Sequence, residues 1–249
     1  MWLNDIAMTM HEFETLIVTI LFAAIFLFGS RLHLSATKPH KKLLSFSAGV
    51  AVAYVFVRLL PELQMASEIF TREIVQQSIF FSVYHVYLSA MFGFMLFYGL
   101  EHMVRWSRLY RKKRADKFIL ILHITGFAIY SWLVSYLLIR GLEDTVVPIT
   151  LYAVAMGLHF LSIEHELYLQ HSTAYIKYGR YIIAAAVLLG WVAGCFFQLP
   201  KPIIITLLAL ITGGVMINSM LMELPQEKSG KFLPFLFGGC LYSALLLFL

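Results

Sequence analysis

The sequence predicts an all-α membrane protein: a bundle of eight transmembrane helices forming one domain, with both termini on the outer side. Three observations carry that expectation. The first is composition. Of 249 residues, 60% are apolar or aromatic and 13% are charged, against about 45–50% and about 25% in a soluble domain. Such a chain is not a soluble enzyme, a disordered tail or a secreted disulfide scaffold. The second is arithmetic. A hydrocarbon core about 30 Å thick takes about 20 apolar residues per helix. Eight spans then use roughly 160 residues and leave only short loops. The third is the placement of Lys and Arg. The net charge is +5, and in a membrane protein excess basic charge marks the cytoplasmic loops rather than a nucleic-acid surface.

The first apolar stretch covers 16–30. Asp5, Glu12 and Glu14 precede it, with no Lys or Arg. It therefore lacks the basic n-region of a cleaved signal peptide and reads as a retained helix. The second, 43–60, is expected to stop at Pro61-Glu62, because proline breaks a helix interior. The third covers 79–100 and the fourth 118–139. The fifth, 146–169, holds Pro148 in its first turn, where proline costs least. The sixth, seventh and eighth cover 181–199, 203–224 and 232–249.

Charge tests this count. With the N-terminus outside, the inner loops hold Arg31, Lys38, Lys41 and Lys42, then the basic segment at about 104–117, then Lys177 and Arg180, then Lys228 and Lys231. The outer loops hold only Arg72, Arg140 and Lys201. That asymmetry is what the positive-inside rule requires. In the basic segment, Arg105, Arg108, Arg111, Lys112, Lys113 and Arg114 are suited to anchoring at anionic lipid headgroups, at about 1 kcal/mol per residue. A regulatory lipid or partner-protein site is the sharper alternative. Nucleic acid is not an expected partner. Cys195 and Cys240 each fall in an apolar stretch and read as small core hydrophobes.

Ionisable groups inside a bilayer are candidates for function. Arg58, one turn before Pro61, either snorkels to the interface or faces the bundle and meets a carboxylate or an anion. His123 lies early in the fourth stretch. Its plain reading is a histidine bonded to a backbone carbonyl. The fifth stretch is richest, with His159, Ser162, Glu164, His165, Glu166, Gln170 and His171. At 100° per residue, His159, Ser162, Glu166 and Gln170 form one stripe, His165 sits beside Glu166, and Glu164 points elsewhere. Either this stripe lines a wet cavity or the segment has reached the interface. Imidazole and carboxylate suit Zn²⁺ and similar divalent ions, but one helix supplies too few ligands. In the seventh stretch, Gly213-Gly214 permits close helix approach. Asn218 is placed to bond across helices, and Glu223 lies near an end.

Several of these stretches together resemble the Zrt/Irt-like (ZIP) metal transporter family. The run from Ser45 to Glu62, ending Arg58-Leu-Leu-Pro-Glu62, is similar to that family's second helix, which ends His-Leu-Leu-Pro-Glu. Gly93-Phe94 through Glu101-His102 is similar to the end of its third helix. Gly213-Gly214 through Glu223-Leu224-Pro225 is similar to its seventh. Eight spans, outward termini and a long cytoplasmic loop after the third helix match as well. The family's metal motifs are reduced. Its fourth-helix His-Asn-x-x-Asp leaves only His123, with Ile124 and Phe127 at the other positions, or leaves nothing in a second register. Its fifth-helix His-Glu-x-Pro-His-Glu leaves His165 and Glu166, with His159 an unmatched extra. Met222 stands at the seventh helix's acidic position, one step from Glu223, and Arg58 replaces the second helix's histidine.

The resemblance implies a transporter of a small or divalent metal ion, not an enzyme. Its transport or binding site would draw on Arg58, His123, His159, Ser162, His165, Glu166 and Glu223, with His123, His165 and Glu166 as metal ligands. No cofactor is assigned beyond a divalent ion such as zinc, and a fixed cation at Arg58 opposes zinc passage. The alternative is a non-transporting ZIP-fold scaffold, sensor or subunit, engaged as a homodimer or with a membrane partner. The expected location is a cell or inner membrane.

Overall fold

A computed structural model describes residues 2–32, 38–73, 79–110, 113–141, 149–223 and 231–248. Among the described residues there are eight helices and no strand. We label them α1 (Trp2–Leu32), α2 (Lys38–Tyr54, a wide π turn over Val55–Leu59, then Leu60–Glu73), α3 (Ile79–Tyr110), α4 (Lys113–Arg140), α5 (Ile149–Ala174), α6 (a π turn over Tyr175–Gly179, then Arg180–Phe196), α7 (Lys201–Asn218 and a π turn over Ser219–Glu223) and α8 (Phe232–Phe248). Five segments are long and apolar enough to cross a membrane: His11–Gly29, Ser45–Arg72, Lys117–Arg140, Tyr175–Phe196 and Lys201–Leu221. The chain is an integral membrane protein. Helix α8 is apolar but shorter. Helix α5 has the length of a span, but His159, Glu164, His165 and Glu166 make it less apolar.

Three expectations are corrected. Helix α2 does not stop at Pro61. It runs on to Glu73, because the π turn just before the proline bonds the Leu60 N–H back to the Val55 carbonyl. A wider turn gives the proline ring room against the preceding turn, the clash that otherwise breaks a helix. The basic segment is not a loop throughout: α3 stays helical to Tyr110 and α4 starts at Lys113. Arg105 is exposed on α3. The side chains of Arg108, Lys113 and Arg114, and residues 111 and 112, lie outside the described set, as does Pro148. The cysteines are not core residues: Cys195 is half-buried and Cys240 is exposed.

Three pairs of helices pack in parallel: α2 with α8, α3 with α7, and α4 with α6; α1 lies against both α5 and α6. Glycines set three of these crossings. A Cβ on Gly213 would collide with the Ala90 carbonyl of α3, and one on Gly93 with the Leu210 carbonyl of α7. Gly190 sits in the same way against the Trp132 carbonyl, and Gly49 and Gly238 against Phe235 and Phe46. Small residues let membrane helices approach until backbones touch, the main source of packing where lipid is as apolar as the side chains. The outward faces stay apolar, with Phe13, Phe92, Leu189 and Phe237 all exposed.

Two ends of the bundle can be named. At the Arg140 end, α4 and α6 stop and α5 and α7 begin. At the His171 end, His171 leaves helical geometry (φ −133°, ψ 30°) and turns α5 into α6. Arg140 closes its own end: its Nε donates to the Gly194 carbonyl at 2.6 Å and its Nη2 to the Cys195 carbonyl at 3.2 Å. These are last-turn carbonyls of α6, where a cation is favoured by the helix dipole. Arg140→Met is expected to lower stability by about 1.5–3 kcal/mol, the usual range for hydrogen bonds to a charged group. Unfolding in mixed micelles would measure it, and a variant as stable as wild type would show that the cap is dispensable.

Candidate functional site: a cavity and a buried histidine–glutamate network

Polar groups gather in three layers along the bundle. At the Arg140 end is a cavity of about 500 Å³. Exposed His11 and Glu14 of α1 stand at its mouth, with Gly141 and Ile149. Deeper, α2 contributes Tyr54, Arg58 and Glu62, α5 contributes Tyr152 and Met156, and α7 contributes Thr212 and Val215. Arg58 belongs to the π turn, and Glu62 follows one turn later. Arg58 Nε lies 3.5 Å from Glu62 Oε2, and both side chains are mostly buried, at 15% and 11% exposure. Arg58 therefore does not snorkel away from the bundle. It faces the cavity beside a carboxylate.

One turn further in, aromatic rings close the way. Tyr130 of α4 packs on Phe97 (5.1 Å between centroids) and on Phe160 (6.3 Å). Its hydroxyl is hydrogen-bonded to His159 Nε2 at 2.9 Å. Gly214 makes room for this layer, since a side chain there would press into the Phe97 and Tyr130 rings. Ser162, one turn beyond His159, spends its hydroxyl on the Leu158 carbonyl at 3.2 Å.

Beyond the rings, towards the His171 end, lies a buried network. His123 Nε2 is 2.9 Å from Glu101 Oε1 of α3, and both are 1% exposed. His123 Nδ1 is 3.0 Å from His171 Nε2 at the kink. Gln170 Nε2 donates to Glu101 Oε2 at 3.2 Å and to Glu166 Oε1 at 2.7 Å, bridging two carboxylates. The tautomers that satisfy all of these contacts put protons on His123 Nε2 and His171 Nε2, so that His123 Nδ1 accepts. The result is a continuous line of titratable groups from α3 through α4 to the turn between α5 and α6.

Of the residues singled out in the sequence, His123 and Glu166 enter the network, and His159 joins the aromatic layer. His165 is half-buried on α5. Glu164 points away from the stripe, and its carboxylate lies where a Cβ on Gly29 of α1 would sit. Glu223 ends the third π turn, and its side chain is outside the described set. Among the described residues, no group of three or more His, Cys, Asp or Glu side chains converges to hold a metal ion. Both ring nitrogens of His123 are already engaged by Glu101 and His171. Asn218 of α7 is fully buried and, among the described residues, neither amide atom has a hydrogen-bond partner.

Several participants were not picked out as site residues, among them Gln170, which was read only as part of the α5 stripe. Glu101 stands at the end of an apolar run and looks like a boundary residue. Its neighbour His102 is exposed while Glu101 is buried. His171 lies past the expected end of its span. Glu62 reads as a helix stop after proline, and Tyr130 reads as core. The usable signal was i,i+4 spacing: Arg58 with Glu62, and Glu166 with Gln170. Compared with known proteins, the chain matches no family model, no curated protein and no solved structure.

Proposed function

We propose that the chain is a ZIP-like transport protein of eight transmembrane helices that moves a small solute or ion, with the cavity as its outer vestibule. In this reading the Arg140 end and both termini face outward, and the basic 105–117 segment lies at the inner surface. The host would be a cell or inner membrane, with anionic lipid against the basic segment. The observation that carries the reading is the cavity's one-sidedness. Its lining runs from His11 and Glu14 inward to Val134, Met156 and Val215, one helical turn short of the Tyr130–His159 hydrogen bond, while a buried titratable network lies on the far side. A carrier held open to one side has this form. The Tyr130–His159 hydrogen bond is then the latch of the inner gate. Metal carriage through His123, His165 and Glu166 would require His123 to exchange Glu101 or His171 for the ion.

Uptake into proteoliposomes tests the reading, with zinc, cadmium and labelled small solutes as cargo. Wild type is expected to exceed empty vesicles, and Glu166→Gln to lose most of that uptake, because Glu166 shares Gln170 with Glu101. No uptake by wild type, with none appearing in Arg58→Ala, would overturn transport. A second reading, a scaffold or sensor that keeps the fold, is favoured by one observation: both nitrogens of His123 are committed to protein partners. A tightly held protein partner on purification, without bound metal, would support it.

A further inference from the structure

The outer cavity carries a pair of opposite charges. Arg58 meets Glu62 at 3.5 Å between Nε and Oε2, and both residues line the cavity. Neither residue makes any other hydrogen bond or ion pair among the described residues. The two Nη groups, which form the fork that matches a carboxylate, and the second oxygen of Glu62 therefore have no protein partner there. A guanidinium and a carboxylate this well buried are costly to leave half-satisfied, and about 500 Å³ lies within the range of small-molecule sites.

From this we infer that the cavity binds a small zwitterion, an α-amino acid with an apolar side chain. Its carboxylate would take the Arg58 fork and its ammonium the free edge of Glu62. A singly charged ligand pairs with one member of the couple and leaves the other without its partner, which is costly in a buried site. A zwitterion meets both with the charges in the right order and leaves the net charge of the site unchanged. The remaining wall sets the side chain: Tyr54, Tyr152, Met156, Leu208 and Ile211 line the same cavity, a mostly apolar surface with room for a branched or aromatic group. The π turn is the local device that makes this work. It adds a residue to the helical turn bearing Arg58, and such insertions recur where a helix must re-aim a functional side chain. The inference names a substrate class for the transport reading, and rests on that reading only in calling the ligand a substrate. The site itself stands on the cavity.

The test is equilibrium binding to the full chain in nanodiscs, with three probes of one shape: L-leucine, 4-methylpentanoate, which lacks the amine, and 3-methylbutylamine, which lacks the carboxylate. L-leucine is expected to bind, and each singly charged analogue to bind at least about tenfold more weakly, since each leaves one buried charge unpaired. Arg58→Lys, which keeps the charge and loses the fork, is expected to weaken L-leucine by about tenfold or more. Glu62→Gln should do the same, while Arg72→Gln, exposed on the same helix, should leave binding unchanged. Either analogue binding as tightly as L-leucine would overturn the inference, and so would no L-leucine binding to folded wild type. The wild-type probe series keeps the inference testable even if a variant fails to fold. L-leucine binding without flux of any solute would uphold the site and sink transport. Zinc or cadmium flux without L-leucine binding would do the reverse.

Discussion

His123→Ala is expected to cost the folded bundle about 3–5 kcal/mol: roughly 1–3 kcal/mol or more for a buried carboxylate that loses its main donor, and the rest for the cavity left by the ring. Glu101 is 1% exposed, and His123 is its closest partner at 2.9 Å. Without the imidazole, the carboxylate keeps only the long bond from Gln170, while His171 loses its contact across the kink. The ring also packs edge-on against Phe127 at 5.0 Å, so a cavity opens as well. Reversible unfolding in mixed micelles measures the loss. A matched control separates polarity from packing. Replacing Glu101 and His123 together by leucine removes both halves, and should restore most of the stability, because a buried pair exchanged for well-packed apolar groups is often neutral or better. If His123→Ala lies within about 1 kcal/mol of wild type, less than the roughly 1–3 kcal/mol cost of one unsatisfied buried group, the network does not hold the His171 end together.

Gly213→Val is expected to prevent α3 and α7 from docking. The added carbons would meet the Ala90 carbonyl and the Phe94 amide nitrogen, both backbone atoms that no rotamer change can move. Overpacking in a well-filled core costs typically about 1–3 kcal/mol even when side chains can yield, and here they cannot. The readout is the yield of monodisperse protein and its melting midpoint. Two glycines supply the contrast. A Cβ on Gly157 meets only the Ile25 and Phe22 side chains, at 3.6 and 3.9 Å, and one on Gly99 meets nothing within 4 Å. Gly157→Ala should therefore be tolerated. Gly99→Ala should stabilise by roughly 0.5–1 kcal/mol, through helix propensity. A Gly213→Val protein as stable as wild type would mean that close backbone contact at Gly213 is not what holds α3 to α7.

Among the described residues each of the eight apolar stretches overlaps a helix, although 197–199 at the end of the sixth lie beyond it, because sustained apolar runs bounded by charge are a strong signal. The ends were less legible. Pro61 reads as a stop from propensity alone. The bond that carries the helix through it reaches back five residues instead of four, and nothing in the local pattern announces that. The Arg- and Lys-rich stretch after His102 reads as a loop by charge, yet these residues are good helix formers and α3 continues through them to Tyr110. Within the site, face assignments on one helix could be read by rotation: Glu164 turned towards α1, away from Glu166, as 100° per residue requires. Partnerships between helices could not. His123 meets Glu101 and His171 across separations of 22 and 48 residues, and such meetings depend on how glycines set the crossings. A solitary histidine on an apolar face therefore gave no hint that a carboxylate would be waiting.

The parallel pairing sets a schedule for assembly during synthesis. Lys231, whose backbone N–H bonds the Ser45 hydroxyl, follows it by 186 residues. At about 5–20 residues per second, the ribosome needs roughly 10–40 s to make the distance. For that time the glycine notch of α2 at Gly49 lies open in the membrane, filled by lipid or by whatever helix diffuses past. Helix α2 already packs on α3 and α5, but its glycine face is covered only when α8 arrives, so the helix that carries the Arg58–Glu62 wall of the cavity completes its packing late.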